Sequence, residues 1–174
     1  AKLALVASPF IALALLLIGL TLWVSWQLDG GAAALNEAGR MRMQTFRLSL
    51  SVSTNDRDAV ARGLRQFDDS LALLRQGVPN RPLFMPWDDE TRPRLEAVEA
   101  DWKRFRERWT TQPTPPLTTL GEETGAFANR IDGLVTAVEA HLSRWTAMLH
   151  LLQAAMMALA VLGSAALLYT GYLY

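Results

Sequence analysis

The sequence contains no cysteine, so no disulfide framework marks a compartment and the redox context stays open. It has two histidines, His141 and His150. Their spacing is not that of metal ligands, and a solvated or interfacial place is expected for each. No glycine-rich phosphate loop and no serine-centred nucleophile motif occurs. An enzyme active site, a metal centre and a cofactor are therefore not expected within these residues. The most informative absence is of charge. Between Leu3 and Gln27 no side chain is ionisable, and between Trp145 and Tyr174 only His150 could be charged near neutral pH.

Charged residues nonetheless make up 20% of the chain, 17 basic against 17 acidic, so they are concentrated in the middle. The formal neutrality offers no basic excess for a nucleic-acid partner. Each uncharged run exceeds the roughly 20 apolar residues that cross about 30 Å of hydrocarbon as a helix. The chain therefore divides into a transmembrane helix over 1–27, a helical domain over 28–144 and a second transmembrane helix over 145–174, with a lipid bilayer as partner. A signal peptide is the alternative for the first run, but its apolar core would be shorter, typically about 7–15 residues.

Trp23, Trp26 and Trp145 flank the middle segment, and Tyr169, Tyr172 and Tyr174 lie at the far end of the second run, as interfacial belts do. The spans are thus antiparallel. Lys2 is the only Lys or Arg outside the middle segment, which orients the termini to the cytoplasm and the middle segment to the exterior, the periplasm for a bacterial inner membrane. The missing initial methionine and the stop at the end of a span read as trimming of a longer receptor.

Turn signals divide the middle segment into four helices. The first is expected from about Ala32 to Ser53, with Asp29 as its cap or with Gly30 and Gly31 as a flexible joint to the span. The second follows the cap-like "STND" and repeats apolar residues at Val60, Leu64, Phe67, Leu71 and Leu74 up to Gly77. "VPNRPLFMPW", with Pro79, Pro82 and Pro86, is a connection. The third helix, about Thr91 to Trp109, aligns Leu95, Val98, Trp102, Phe105 and Trp109. "TTQPTPP" then breaks the chain. The fourth starts near Leu117, aligns Leu120, Phe127, Ile131, Leu134, Val138 and Leu142, and meets no proline before the second span. Four amphipathic stripes of this length need one another. The fold class is all-α, an antiparallel four-helix bundle continuous with two transmembrane helices and expected to be a homodimer.

In "LNEAGRMRMQTFRLSL", Leu35 to Leu50, three arginines sit among apolar residues with Glu37 as the one nearby acid. At 100° per residue, Ala34, Ala38, Met41, Thr45, Leu48 and Val52 share one face, and Leu35, Gly39, Arg42, Phe46 and Ser49 share the next. Arg42 stands on a face suited to helix contact, and an unpaired buried guanidinium costs several kcal/mol. An anion should meet it. That anion is either an acid of a neighbouring helix, such as Glu122, Glu123 or Asp132, with snorkelling to water along the Arg42 stem as the alternative to such a pair, or an external ion between two copies of Arg42 at a dimer seam.

"NEAGRMRMQTFRLSLSV" resembles the P-box of nitrate/nitrite sensor histidine kinases of the NarX/NarQ type. The matching residues are Ala38-Gly39, Arg42-Met43-Gln44, Thr45, Phe46 and Arg47-Leu48. The resemblance implies that Arg42 of each subunit grips one nitrate or nitrite, with Gly39 permitting close approach and Met43 and Phe46 as walls. It also implies an absent linker module called HAMP, a kinase and a response-regulator partner, so that the enzyme would be the full-length protein. Arg40 stands where a small residue is usual and Phe46 where tyrosine is common. Arg47 is expected to pair with an acid. The ligand would act by displacing one span relative to the other, unless the glycine joint absorbed the motion.

Two other readings suit the same residues. A chemoreceptor-type bundle would use the arginines for a carboxylate ligand and send its signal to a methylated domain. A membrane anchor would use the loop to bind a partner protein.

Overall fold

The computed structural model describes residues 2–78, 82–111 and 115–173, with the side chains of 2–6, 111 and 173 outside that description. Pro79 and Pro113 of the two expected connections and Tyr174 of the aromatic belt lie outside the described residues. Four helices follow in order: α1 (Lys2–Ser53), α2 (Arg57–Gln76), α3 (Thr91–Thr111) and α4 (Leu117–Leu173). The expected all-α architecture is the observed one.

The chain forms two compact units, one of Ala1–Leu28 with Ser143–Tyr174 and one of Asp29–Leu142. In the first, the apolar stretches of α1 and α4 are long enough to cross a membrane, and only 6% of each apolar window is buried. They run antiparallel. Trp23 meets Trp145 edge to face at 5.3 Å, Thr21 Oγ1 approaches Met156 Sδ at 3.7 Å, and Phe10 lies against Gly163. The Thr21 hydroxyl also donates to Leu17 O at 2.8 Å, so its own donor is satisfied in an apolar setting.

The second unit is an up-down-up-down bundle in which each helix neighbours the next and α1 also neighbours α4. Gln44 reaches Ser70 between α1 and α2, Trp102 reaches Asp68 between α3 and α2, Arg130 reaches Asp101 between α4 and α3, and Thr124 reaches Ser49 between α4 and α1. The expected stripes form its core. Ala34, Ala38, Met41, Leu48 and Val52 of α1 are buried, with Thr45 among them donating to Met41 O at 2.9 Å. An aromatic cluster fills the centre. Phe67 stacks on Trp102 at 4.0 Å, and Phe127 meets both at 5.5 Å and 6.2 Å. The Trp102 indole N–H donates to Asp68 Oδ1 at 2.8 Å, so its polar edge reaches the rim while its rings stay inside.

Local chemistry sets the helix ends. Asp56 caps α2 by accepting from Ala59 N at 2.9 Å, and Asn55 holds a left-handed φ of 56° in the turn before it. Gly77 closes α2 with φ 69°, and a Cβ there would lie 2.7 Å from the Leu83 carbonyl oxygen.

The start of α1 within the bundle corrects the expectation. Asp29, Gly30 and Gly31 are inside an unbroken helix, so there is neither a cap nor a joint at this point. Both glycines are buried. A Cβ at Gly30 would sit 2.1 Å from Phe84 Cε1, and one at Gly31 would sit 2.3 Å from Leu142 Cδ2. Their missing side chains make room for a ring and a leucine; conformational freedom is not what they supply.

His141 also differs from its solvated reading. Its Nδ1 lies 2.7 Å from Asp88 Oδ2, while Asp88 Oδ1 accepts from the backbone N–H groups of Thr91 at 2.6 Å and Glu90 at 3.2 Å. One carboxylate thus caps α3 and ties it to α4. Partial burial pushes the Asp88 pKa up, but the Thr91 and His141 hydrogen bonds and the His141 charge outweigh it, and the carboxyl falls from 3.8 to about 2. The Thr91 hydroxyl is buried and completes no hydrogen bond of good geometry among the described residues, so the Thr91 N–H is the stronger of its two contributions.

Three outcomes follow from these contacts. Trp102→Ala should lower unfolding free energy by about 3–5 kcal/mol, and Trp102→Phe by less, in near-UV circular dichroism melts of the detergent-solubilised chain. Gly77→Ala should be destabilising by about 1–3 kcal/mol in the same melts, since φ and the Leu83 oxygen both oppose a methyl. A depressed carboxyl stabilises above its unfolded value and loses that contribution as pH falls through its folded one. The melting difference between wild type and Asp88→Asn should therefore be full above pH 3.8 and shrink toward pH 2. A difference that grows on acidification would contradict this.

Candidate functional site

The arginine stretch lies on α1 midway along the bundle, and its buried face locks the helix in one rotation. That rotation turns Met43, Phe46 and Leu50 outward, 57%, 45% and 64% exposed, on a ridge left open among the described residues. Gly39 lies one turn before Met43 on the same side, and a Cβ on it would meet nothing within 4 Å. Met43 and Phe46, which plain core packing would have buried, are surface residues here.

The ridge separates two flanks. On the α4 side, Arg42 Nε lies 3.2 Å from Asp132 Oδ1, with both side chains substantially exposed. The neighbouring-acid reading of Arg42 is thus the contact made within one chain. Such an exposed pair contributes about 0–1 kcal/mol, so it holds the guanidinium loosely. On the α2 side, Arg40, Met43, Gln44 and Arg47 face Gln66 and Asp69 across an open cavity of about 480 Å³. Arg40 pairs with the buried Glu37 at 2.7 Å. Arg47, expected to pair with an acid, makes no ion pair among the described residues and faces this cavity instead.

The structure therefore brings Gly39, Arg42, Met43 and Phe46 onto one outer side of α1 but does not enclose them. Arg42 points toward α4 while Met43 lines the groove on the other flank. Two participants were not singled out from sequence. Leu50 extends the exposed ridge by one turn, and the heptad spacing from Met43 could have found it. Gln44 ties α1 to α2, its amide within 3.2 Å of the buried Ser70 hydroxyl, a role legible only once Ser70 was known to lie inside.

Comparison with known proteins bears on what this side of α1 serves. No curated protein matches the chain. A family model described as PilJ, the N-terminal part of type IV pili methyl-accepting chemotaxis transducers, matches residues 23–123, which contain the whole arginine stretch, α2 and α3. The match is to a chemotaxis transducer, and the nitrate/nitrite kinase resemblance is not what it shows. Of the readings open from sequence, the chemoreceptor-type sensor is the one it favours. With more than half of its length matched, the chain belongs to the family of PilJ-type chemotaxis transducer N-terminal domains, a chemoreceptor-type sensor carrying two apolar helices able to span a membrane.

Proposed function

We propose that the chain is the ligand-reading module of a transmembrane receptor, working as a homodimer, and that two copies of the α1 ridge take up a small anion between them. The supporting observation is the exposure of Met43, Phe46 and Leu50 on a helix whose opposite face is fully packed, with Arg42 beside them in a loose pair. Contiguous apolar surface rimmed by charge is what a self-interface uses. Two approaching copies of Arg42 repel until an anion lies between them, and guanidinium matches a planar anion by two parallel hydrogen bonds.

Nitrate or nitrite is the ligand that the P-box resemblance supports, with Gly39, Met43 and Phe46 around it. A carboxylate is the second reading, supported by the chemotaxis family match. In either case the bundle is periplasmic, the termini are cytoplasmic, and the signal passes along α1 and α4 to a cytoplasmic output. The family match supports a methyl-accepting output over a histidine kinase with its response regulator. The ligand must compete with Asp132 for Arg42, which costs it little because that pair is exposed.

Titration calorimetry of the detergent-solubilised chain with nitrate, nitrite, aspartate and chloride tests this. Arg42→Ala should abolish the heat of the cognate anion while the fold persists, and Arg42→Lys should restore it poorly. Asp132→Asn should tighten binding by up to about fivefold, the equivalent of losing a competitor worth about 1 kcal/mol. Heat from aspartate with none from nitrate would assign the carboxylate, and an Arg42→Ala chain that binds unchanged would refute the site. Gly39→Ala should stabilise α1 by about 0.5–1 kcal/mol. Its methyl has open space within one chain, so weakened anion binding in that variant would report the second copy.

A further inference from the structure

The connection between α2 and α3 is unusually well fastened for a loop. Val78 and Leu83 pair as a bridge, with Val78 N–H donating to Leu83 O at 3.1 Å. Leu83 and Met85 are buried, at 1% and 2% exposure. The Phe84 N–H donates to Gly30 O at 3.4 Å, its ring occupies the space over Gly30, and Asp88 is tied to His141 at 2.7 Å. Among its described residues the one large apolar side chain turned outward is Trp87, 48% exposed. The Arg92 guanidinium lies 5.5 Å from the centre of that indole and makes no ion pair among the described residues.

The anchoring points fix where this exposed pair can be. Gly30 stands two residues after Leu28 and His141 two before Ser143, the residues at which the bundle's chain passes into the apolar unit. Two residues reach at most about 7 Å. The Phe84 and Asp88 ends of the loop are therefore held close to both crossings, whatever the attitude of the bundle. Trp26 and Trp145 already mark that level as interfacial by composition. An indole with an apolar body and a polar edge belongs at that depth, and a guanidinium stacked on it presents donors in the fork that suits phosphate.

We propose that the α2–α3 connection is a membrane-surface contact: Trp87 enters the headgroup layer of the leaflet facing the bundle and Arg92 pairs there with lipid phosphate. The occupant is lipid because the loop is tethered within a few residues of the bilayer at two independent points. A second copy of the chain would have to displace that lipid to reach it. The contact rests on reading the two apolar helices as membrane spans, and it is separate from the anion-reading ridge of α1. It gives the bundle a third support on the bilayer besides α1 and α4. Because Asp88 couples this support to α4 through His141, the same loop fixes how α4 leaves the bundle.

The absence of cysteine allows one label per molecule. Three variants, Trp87→Cys, Leu117→Cys and Leu16→Cys, carry an environment-sensitive fluorophore in vesicles of phosphatidylcholine and phosphatidylglycerol doped with nitroxide lipids. Leu117 and Leu16 are 73% and 57% exposed, and Leu117 begins α4, about 36 Å of helix away from His141. Headgroup nitroxide should quench the label at position 87 several-fold more than the one at 117, and acyl-chain nitroxide should quench the one at 16. Adding Arg92→Gln should reduce quenching at 87 by at least twofold. Quenching at 87 no greater than at 117, with position 16 quenched, overturns the lipid contact alone. No quenching at 16 overturns the membrane reading beneath it. Efficient disulfide formation between two unlabelled copies of the Trp87→Cys chain would assign the surface to a second copy and overturn the proposal as well.

Discussion

A chain leaving hydrocarbon must keep every backbone N–H and C=O bonded until it reaches water or protein, and here the helical ladder does that without a break. The consequence is that α1 and α4 are both apolar helices and bundle helices. The rest of the bundle packs against these two helices. The paired glycines at 30 and 31 show how tightly. A residue with a Cβ there would meet Phe84 or Leu142, so the helix keeps its hydrogen bonds and gives up side chains instead. Gly and helix are a poor match by about 1 kcal/mol each, which the close packing of a ring and a leucine offsets.

The resulting bundle has a stiff centre and a weakly held rim. Phe67, Trp102 and Phe127 interlock, and removing one large aromatic from such a centre typically costs several kcal/mol. Most of the ion pairs around them involve exposed arginines: Arg75 with Glu99, Arg106 with Asp68, Arg108 with Glu123. Each is worth about 1 kcal/mol or less. Two acids are exceptions in burial: Glu37, held by Arg40, and Asp101, held by Arg130 at 2.8 Å and by Arg104. Asp101 stays buried because two guanidiniums meet it at the α3–α4 edge.

Legibility in the sequence followed the range of the interaction. Local signals were sufficient for the Asp56 cap, the Gly77 stop and the stripes of α2, α3 and α4, because period and capping act within a few residues. On α1 the period grouped the residues from Ala34 to Val52 on one face for the same reason, but which of its faces the core would take was not assigned from sequence. What local signals could not carry was the meaning of single residues with distant partners. Gly30 and Gly31 looked like a joint until Phe84 and Leu142 were placed on them, and His141 looked solvated until Asp88, far away in sequence, came within 2.7 Å. Arg42 was expected to meet an anion because it would be buried; it does pair with Asp132, but its side chain is about half exposed, so within one chain burial does not oblige the pair. The outward turn of Met43 and Phe46 depends on how many helices the bundle has to offer.

These magnitudes restrict how a bundle of this kind could respond to a ligand. A ligand shifts an equilibrium only by its differential affinity for the two states, and a small anion has a few kcal/mol to apply. That is too little to repack the aromatic centre and ample to release a pair such as Arg42 with Asp132. Within these limits a ligand would move whole helices past one another at their rims while the core side chains keep their neighbours. Residues 29–31 of α1 form no joint, since the helix is unbroken there and both glycines are packed against Phe84 and Leu142. The side chains that resist such a movement are the few that bridge helices at the loop end, above all Phe84 on Gly30 and Asp88 on His141. The loop between α2 and α3 thus ties together the two helices that leave the bundle, although it belongs to neither.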